Sequence, residues 1–330
     1  MTELLLTGGS CSLRDRADEP PPRGQPARPG LEWVIMTPQD YRAPATTESA
    51  VALLAEHGAR ARALAGGTDL LVQARRGDVE VDLFIDVKRI PELSSIRFDS
   101  ASGLSVGGAV PCADVANHPS VAEHYPALAD AASLIGGTAI NGRASVGGNV
   151  CNAAPSADTI PVLMVLDAVC VIEGPSGRRS VAAADFCVAP RRTVLQPGEL
   201  LVSIDVPPPQ ARSGGRYLRF IPRGEMDIAV VGVACMIRLD AAGSTIADAS
   251  VALAAVGPTP IPVPGAARVL VGAAPTEEVF QRAGLAAREA ALPITDVRGT
   301  AALRRHLCDV LVRRALRDAL RRARGEVVHG

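Results

Sequence analysis

Arg143-Ala144-Ser145-Val146-Gly147-Gly148-Asn149-Val150-Cys151-Asn152-Ala153-Ala154-Pro155-Ser156-Ala157-Asp158 is the stretch whose reading decides the fold. Its paired glycines let backbone approach a ligand closely and permit positive φ, so that successive N–H groups face one side. Roughly 80 residues upstream, Ala65-Gly66-Gly67-Thr68-Asp69-Leu70 offers the same device between a strand and a helical turn. Such backbone suits a diphosphate, since each N–H bond to a charged oxygen contributes about 1.5–3 kcal/mol. Neither loop has the glycine spacing of a dinucleotide fingerprint or a P-loop. A glycine pair alone is usually a plain turn, and Gly107-Gly108 and Gly136-Gly137 repeat the pattern. The two loops in this order, with Asp158 closing the second, are far more specific.

Outside these loops the composition excludes several classes. With 330 residues, two domains are the expectation. A net charge of −1 provides no electrostatic footprint for nucleic acid. No run of apolar residues is long enough for a membrane span. The seven cysteines and five histidines follow no metal-ligand spacing, so no metal site is expected, and scattered reduced thiols fit a cytoplasmic protein. Lys88 is the only lysine, which limits lysine chemistry to one candidate. Residues 1–30 read as a disordered leader, with five prolines between positions 12 and 30. Gly9-Ser10-Cys11 follows too short an apolar run to be a signal-peptide cleavage site.

Globular sequence is expected from near Trp33. Helices are expected over 48–57, 70–76, 121–135, 158–166, 276–291 and 299–324, and strands over 61–65, 81–87, 103–110, 168–173, 228–239 and 249–256. Asp240 to Gly243 signals a hairpin. Pro207-Pro208-Pro209 with Ser213-Gly214-Gly215 marks a boundary between two domains. In the last helix Leu303, Leu307, Val310 and Leu311 form a packing face, while its arginines suit a solvated face or a binding patch.

The two loops, together with Arg223-Gly224-Glu225-Met226-Asp227 and Ile294-Thr295-Asp296-Val297-Arg298, resemble the flavin subunits of the xanthine dehydrogenase and carbon monoxide dehydrogenase group, the molybdenum hydroxylases. The resemblance covers residues 31–325. It implies an α+β fold: a vanillyl-alcohol-oxidase-type (PCMH) FAD-binding domain of two subdomains over 31–208, and a smaller C-terminal α+β domain of the CO dehydrogenase flavoprotein type over 213–325. By similarity, Ala63, Leu64, Ala65, Gly66, Gly67, Thr68, Asp69 and Leu70, with Ser145, Val146, Gly147, Gly148 and Asn149, would wrap the FAD diphosphate. Asp158 would meet a ribose or ribityl hydroxyl, Ile135 and Leu201 would touch the flavin, and Arg219 would approach the cofactor. For Ile135 and Leu201 an ordinary core role stays open, as does an exposed strand position for Arg219. Cys151 beside the second loop is either a packing residue or a redox thiol.

Two departures from the family stand out. Ile140-Asn141-Gly142-Arg143 replaces a more basic segment, and Thr68 stands where a histidine links covalently to flavin in some proteins of this fold. Non-covalent FAD is therefore expected. The chain offers no acid–base pair and no catalytic side chain is nominated. The resemblance implies an electron-transfer subunit: a molybdopterin subunit would oxidise substrate, and a [2Fe–2S] subunit would relay electrons to the flavin. From there they would pass to NAD, a quinone, a protein or dioxygen. The alternatives are a self-contained flavin oxidoreductase of the same fold and a flavin-free assembly subunit.

Overall fold

The computed structural model describes residues 40–224 and 226–328. The expected leader and the start of globular sequence near Trp33 lie outside the described residues.

Along the chain, β1 (Asp40–Arg42), α1 (Thr47–His57), β2 (Ala61–Leu64), α2 (Leu70–Arg76) and β3 (Leu83–Asp86) build a first layer. Its sheet is parallel, in the order β1-β3-β2. Thr46 caps α1 by accepting from Ser49 N, and Gly77, with φ 74°, ends α2. Val51 and Leu54 of α1 pack with Leu83 and Ile85 into one small core.

Next come β4 (Ile96–Asp99), β5 (Gly103–Gly107) and the helices α3 (Cys112–Asn117), α4 (Pro119–His124), α5 (Pro126–Ser133), α6 (Thr138–Asn141), α7 (Val146–Asn152) and α8 (Thr159–Val165). The expected single helix over 121–135 is two. Pro126 cannot continue the hydrogen-bond ladder of α4, so it starts α5 instead. There follow β6 (Val169–Gly174), β7 (Gly177–Ala182), α9 (Ala183–Phe186), β8 (Cys187–Ala189), β9 (Arg192–Thr193) and β10 (Leu200–Val206). A five-stranded antiparallel sheet, β4-β5-β10-β6-β7, carries the helices α3 to α8 against a large core.

The remainder comprises β11 (Ser213–Phe220), β12 (Val231–Leu239), β13 (Ile246–Ala254), β14 (Ile261–Pro262), α10 (Pro264–Leu270), α11 (Glu277–Ala290) and α12 (Ala301–Ala323). The four strands form one antiparallel sheet in sequence order, with α10 to α12 on one face. Ser213-Gly214-Gly215, part of the expected boundary signal, is strand. A Cβ on Gly214 would stand 2.2 Å from the Ala319 carbonyl oxygen, so the missing side chain lets α12 lie directly on β11.

The buried stripe of α12 differs from the expected one. It is centred on Arg304, Cys308, Leu311, Ala315 and Ala319; of the expected face Leu311 is buried and Leu307 packs against the core, whereas Leu303 is exposed. Arg304 turns inward because both terminal nitrogens of its guanidinium find acceptors: they donate to the carbonyls of Val230 and Ala255 and to Asp296. The Arg322 side chain is only 9% exposed and pairs with Asp130 on α5. Asp130 also accepts from Arg216 on β11, so one carboxylate joins the helices of the middle layer to the C-terminal sheet and helix. These arginines belong neither to a solvated face nor to a binding patch.

Candidate functional site

The first glycine loop leaves the carboxyl end of β2 and leads into α2, which returns the chain to β3 beside it. Ligands commonly bind outside the carboxyl ends of parallel strands. Gly67 takes φ 76°, a conformation glycine adopts at little cost. Leu71 N and Gln73 N donate to the carbonyls of Gly67 and Asp69, starting the helix. Lys88 Nζ donates to the Ala65 carbonyl at 3.0 Å and pairs with Asp86 at 2.8 Å. Tyr41 Oη donates to the other Asp86 oxygen at 2.5 Å. Burial raises the Asp86 pKa, but the hydrogen bonds from Lys88 and Tyr41 outweigh it and hold the carboxyl below its usual range. The lone lysine is thus a structural clamp on the loop.

The second loop is stitched to the end of β5. Cys112 N donates to the Ala144 carbonyl at 2.7 Å, and Val146 N to the Val110 carbonyl at 3.3 Å. Ser145 then caps α7 by accepting from Gly148 N at 3.0 Å. Gly147 and Gly148 lie in the first turn of α7 without positive φ, so this loop is a helix start rather than the left-handed turn its glycines suggested. What Gly147 supplies is closeness: its Cβ would stand 2.3 Å from the Gly108 carbonyl oxygen.

The loops meet. A Cβ on Gly66 would lie 2.1 Å from the Arg143 carbonyl oxygen, so backbone touches backbone there. Behind them Gln73 Nε2 donates to Asn152 Oδ1 at 3.0 Å, joining α2 to α7. Asn149 Oδ1 accepts from Thr159 Oγ1 at 2.6 Å, joining α7 to α8.

Between the loops runs a cleft of about 920 Å³, a volume suited to a large cofactor. Ala63, Ala65, Gly66, Gly67, Thr68, Asp69, Leu70, Ile135, Ser145, Gly147, Gly148, Asn149 and Leu201 line it. Four candidates do not. Leu64 packs behind the loop with Ala74 and Phe84, and Val146 is in the core. Asp158 is 7% exposed, and its two oxygens accept from Tyr217 Oη at 2.7 Å and Arg219 at 2.9 Å. Burial raises the Asp158 pKa against the pull of Arg219 and Tyr217.

Gly108, Gly136, Gln73, Asn152, Leu195 and Arg191 also line the cleft, although none was among the expected site residues. Gly108 and Gly136 belong to the two glycine pairs that seemed uninformative. The others carry no local pattern, because distant segments bring them in. Cys151 lines the cleft, but burial pushes its thiol far above the usual range, so a reactive thiolate is disfavoured.

The donor set fits FAD. Its parts are a long cleft, backbone close approach at two points, apolar Ile135, Leu195 and Leu201, and a cation, Arg191. Gly148 keeps the cleft open, since an added Cβ would meet only Ser145 Oγ, at 2.9 Å. Among the described residues no group of three or more His, Cys, Asp or Glu side chains would hold a metal, and no helix is long and apolar enough to cross a membrane.

A glycine-walled cleft between a parallel layer and an antiparallel one, followed by a separate α+β layer, defines a two-part dinucleotide-binding protein. Residues 36–209 match the FAD binding domain in molybdopterin dehydrogenase, and residues 216–319 match the CO dehydrogenase flavoprotein C-terminal domain. The chain is 34% identical over 280 residues to the carbon monoxide dehydrogenase medium chain of Hydrogenophaga pseudoflava, covering 85% of this chain and 96% of that one. It is 29% identical over 288 residues to the xanthine dehydrogenase FAD-binding subunit of Escherichia coli O157:H7, covering 87% and 98%. The solved structure of quinoline 2-oxidoreductase from Pseudomonas putida 86 superposes with a TM-score of 0.81 at 28% identity, covering 87% of this chain and 99% of the other. The chain belongs to the FAD-binding subunit family of the molybdopterin dehydrogenases, and is an oxidoreductase subunit of that kind.

Proposed function

We propose that the chain is the electron-transfer flavoprotein of a molybdenum hydroxylase complex, working in the cytoplasm with a [2Fe–2S] subunit and a molybdopterin subunit. One observation carries the proposal: both glycine loops fold onto a single cleft in a chain whose relatives, matched over nearly their whole length, are named as one chain of several. Bound FAD would supply the redox chemistry, accepting electrons singly and releasing them to NAD, a quinone, a protein or dioxygen.

The protein's own residues bind and orient. The backbone at 65–69 and 145–149 would hold the diphosphate, and Ile135 and Leu201 would flank the ring, all but Val146 in the cleft lining. Asp158 and Arg219 would act from behind the wall, as a buried pair adjoining the cofactor. Thr68 offers no imidazole for a covalent flavin link, which supports a non-covalent cofactor.

Purification of the tagged full chain from its native host tests this. Two further polypeptides carrying iron and molybdenum should copurify, and acid should release yellow FAD into the supernatant. A chain that runs alone and oxidises a substrate unaided would replace the proposal with a self-contained oxidoreductase. A folded chain that stays colourless with added FAD would leave the assembly role.

A further inference from the structure

The hairpin between β8 and β9 turns on only two residues, Pro190 and Arg191. Proline fixes its own φ near −65° and favours the first central position of such a turn. The second central position here is left-handed: Arg191 has φ 58°. Glycine or asparagine is the residue this position favours, and a long side chain there is strained. Non-glycine residues in this region persist where the surrounding structure holds them, and they cluster at ligand sites. Arg191 N is held by the Ala153 carbonyl at 3.0 Å, just past α7, so the turn is tied to the end of the second loop's helix.

The side chain stands in the wall of the cleft and is exposed. Among the described residues its guanidinium makes no hydrogen bond or ion pair within contact distance. The other arginine of the lining, Arg62, already donates to the carbonyls of Ala59 and Ala61. Asp69, at the end of the first loop, lines the same cleft. Desolvation raises the Asp69 pKa while the charge of Arg191 pulls it down. A cation strengthens the hold on a dianionic diphosphate between the loops, because backbone N–H groups provide only partial charge.

We infer that Arg191 is a further cofactor-binding residue, reaching from the β8–β9 turn to the diphosphate of the bound dinucleotide. The inference rests on the reading of the cleft as the FAD site. It explains why a turn position suited to glycine carries arginine.

Arg191→Gly separates conformation from charge, because glycine suits the left-handed φ better than arginine. FAD binding to the flavin-free full chain would be followed by flavin fluorescence over a range of sodium chloride concentrations. The unliganded variant should melt at or above the wild-type temperature. Its FAD affinity should fall by about ten- to a hundredfold, as for loss of a charged hydrogen bond. The salt dependence of that affinity should flatten, since a screened charge pair has been removed. Arg191→Lys should recover part of both. An unchanged FAD affinity in Arg191→Gly, or a weaker one with the wild-type salt dependence, overturns the role of Arg191 and leaves the cleft assignment standing. A wild-type chain that binds no FAD overturns both.

Discussion

Lys88 Nζ donates to the carbonyl oxygen of Ala65 at 3.0 Å, so the only lysine in the sequence anchors the start of the first glycine loop. The same ammonium neutralises Asp86, whose side chain is 10% exposed. Lys88→Met removes both interactions and leaves a nearly buried carboxylate with Tyr41 as its remaining side-chain donor. Because Lys88 is itself about one-third exposed, solvent screening moderates the loss, and we expect about 1–2 kcal/mol of destabilisation. Urea unfolding measures it. Flavin affinity should fall in the same variant, as the Ala65 end of the loop is released.

Asp86 also predicts a pH dependence. Its folded-state pKa is depressed, so its contribution is present above the unfolded carboxylate value of about 3.9 and is lost as pH falls through the folded value. The urea midpoints of the wild type and Asp86→Asn should differ most above about pH 4 and converge below it. A gap that stays constant with decreasing pH would show that the carboxylate charge is not what stabilises this corner.

The loop contact yields a matched pair of substitutions. In Gly66→Ala the new methyl would meet the Arg143 carbonyl oxygen at 2.1 Å, and neither backbone has room to yield without moving a loop. We expect about 1–3 kcal/mol of destabilisation, as for overpacking, and loss of bound flavin. In Gly77→Ala the methyl meets open space, and the strain comes only from φ 74°. That variant should lose about 1 kcal/mol and keep its flavin. Thermal melts and visible spectra of both proteins check the contrast.

Asp130→Ala should act at the seam between the middle layer and α12. It leaves Arg322 without its carboxylate and strips one partner from Arg216, side chains that are 9% and 7% exposed. Removing one member of a buried ion network costs about 3–5 kcal/mol. Arg216 keeps Asp318 at 3.3 Å, which places the expectation at the lower end. Limited proteolysis should cut the variant near residues 207–212 faster than the wild type.

The sequence by itself determined the elements with strong local signals: the capped helices α1, α2 and α11, the hairpin at Gly243, and both glycine loops in their order. Those signals are local because capping, left-handed turns and amphipathic periods are set within a few residues. Most of the cleft lining within the loops was legible for the same reason. Tertiary structure decided what depends on distant partners. Arg304 faces inward because Val230, Ala255 and Asp296 converge on it, which turned the expected face of α12. Gly108 became a floor of the site because Gly147 settles on its carbonyl, and Gly214 became strand because α12 lies on it. Arg191 reached the cleft through a two-residue turn whose neighbour, the Ala153 carbonyl, comes from another part of the chain. A side chain's own residue type records its charge and size. Which backbone it meets is fixed only when the layers pack.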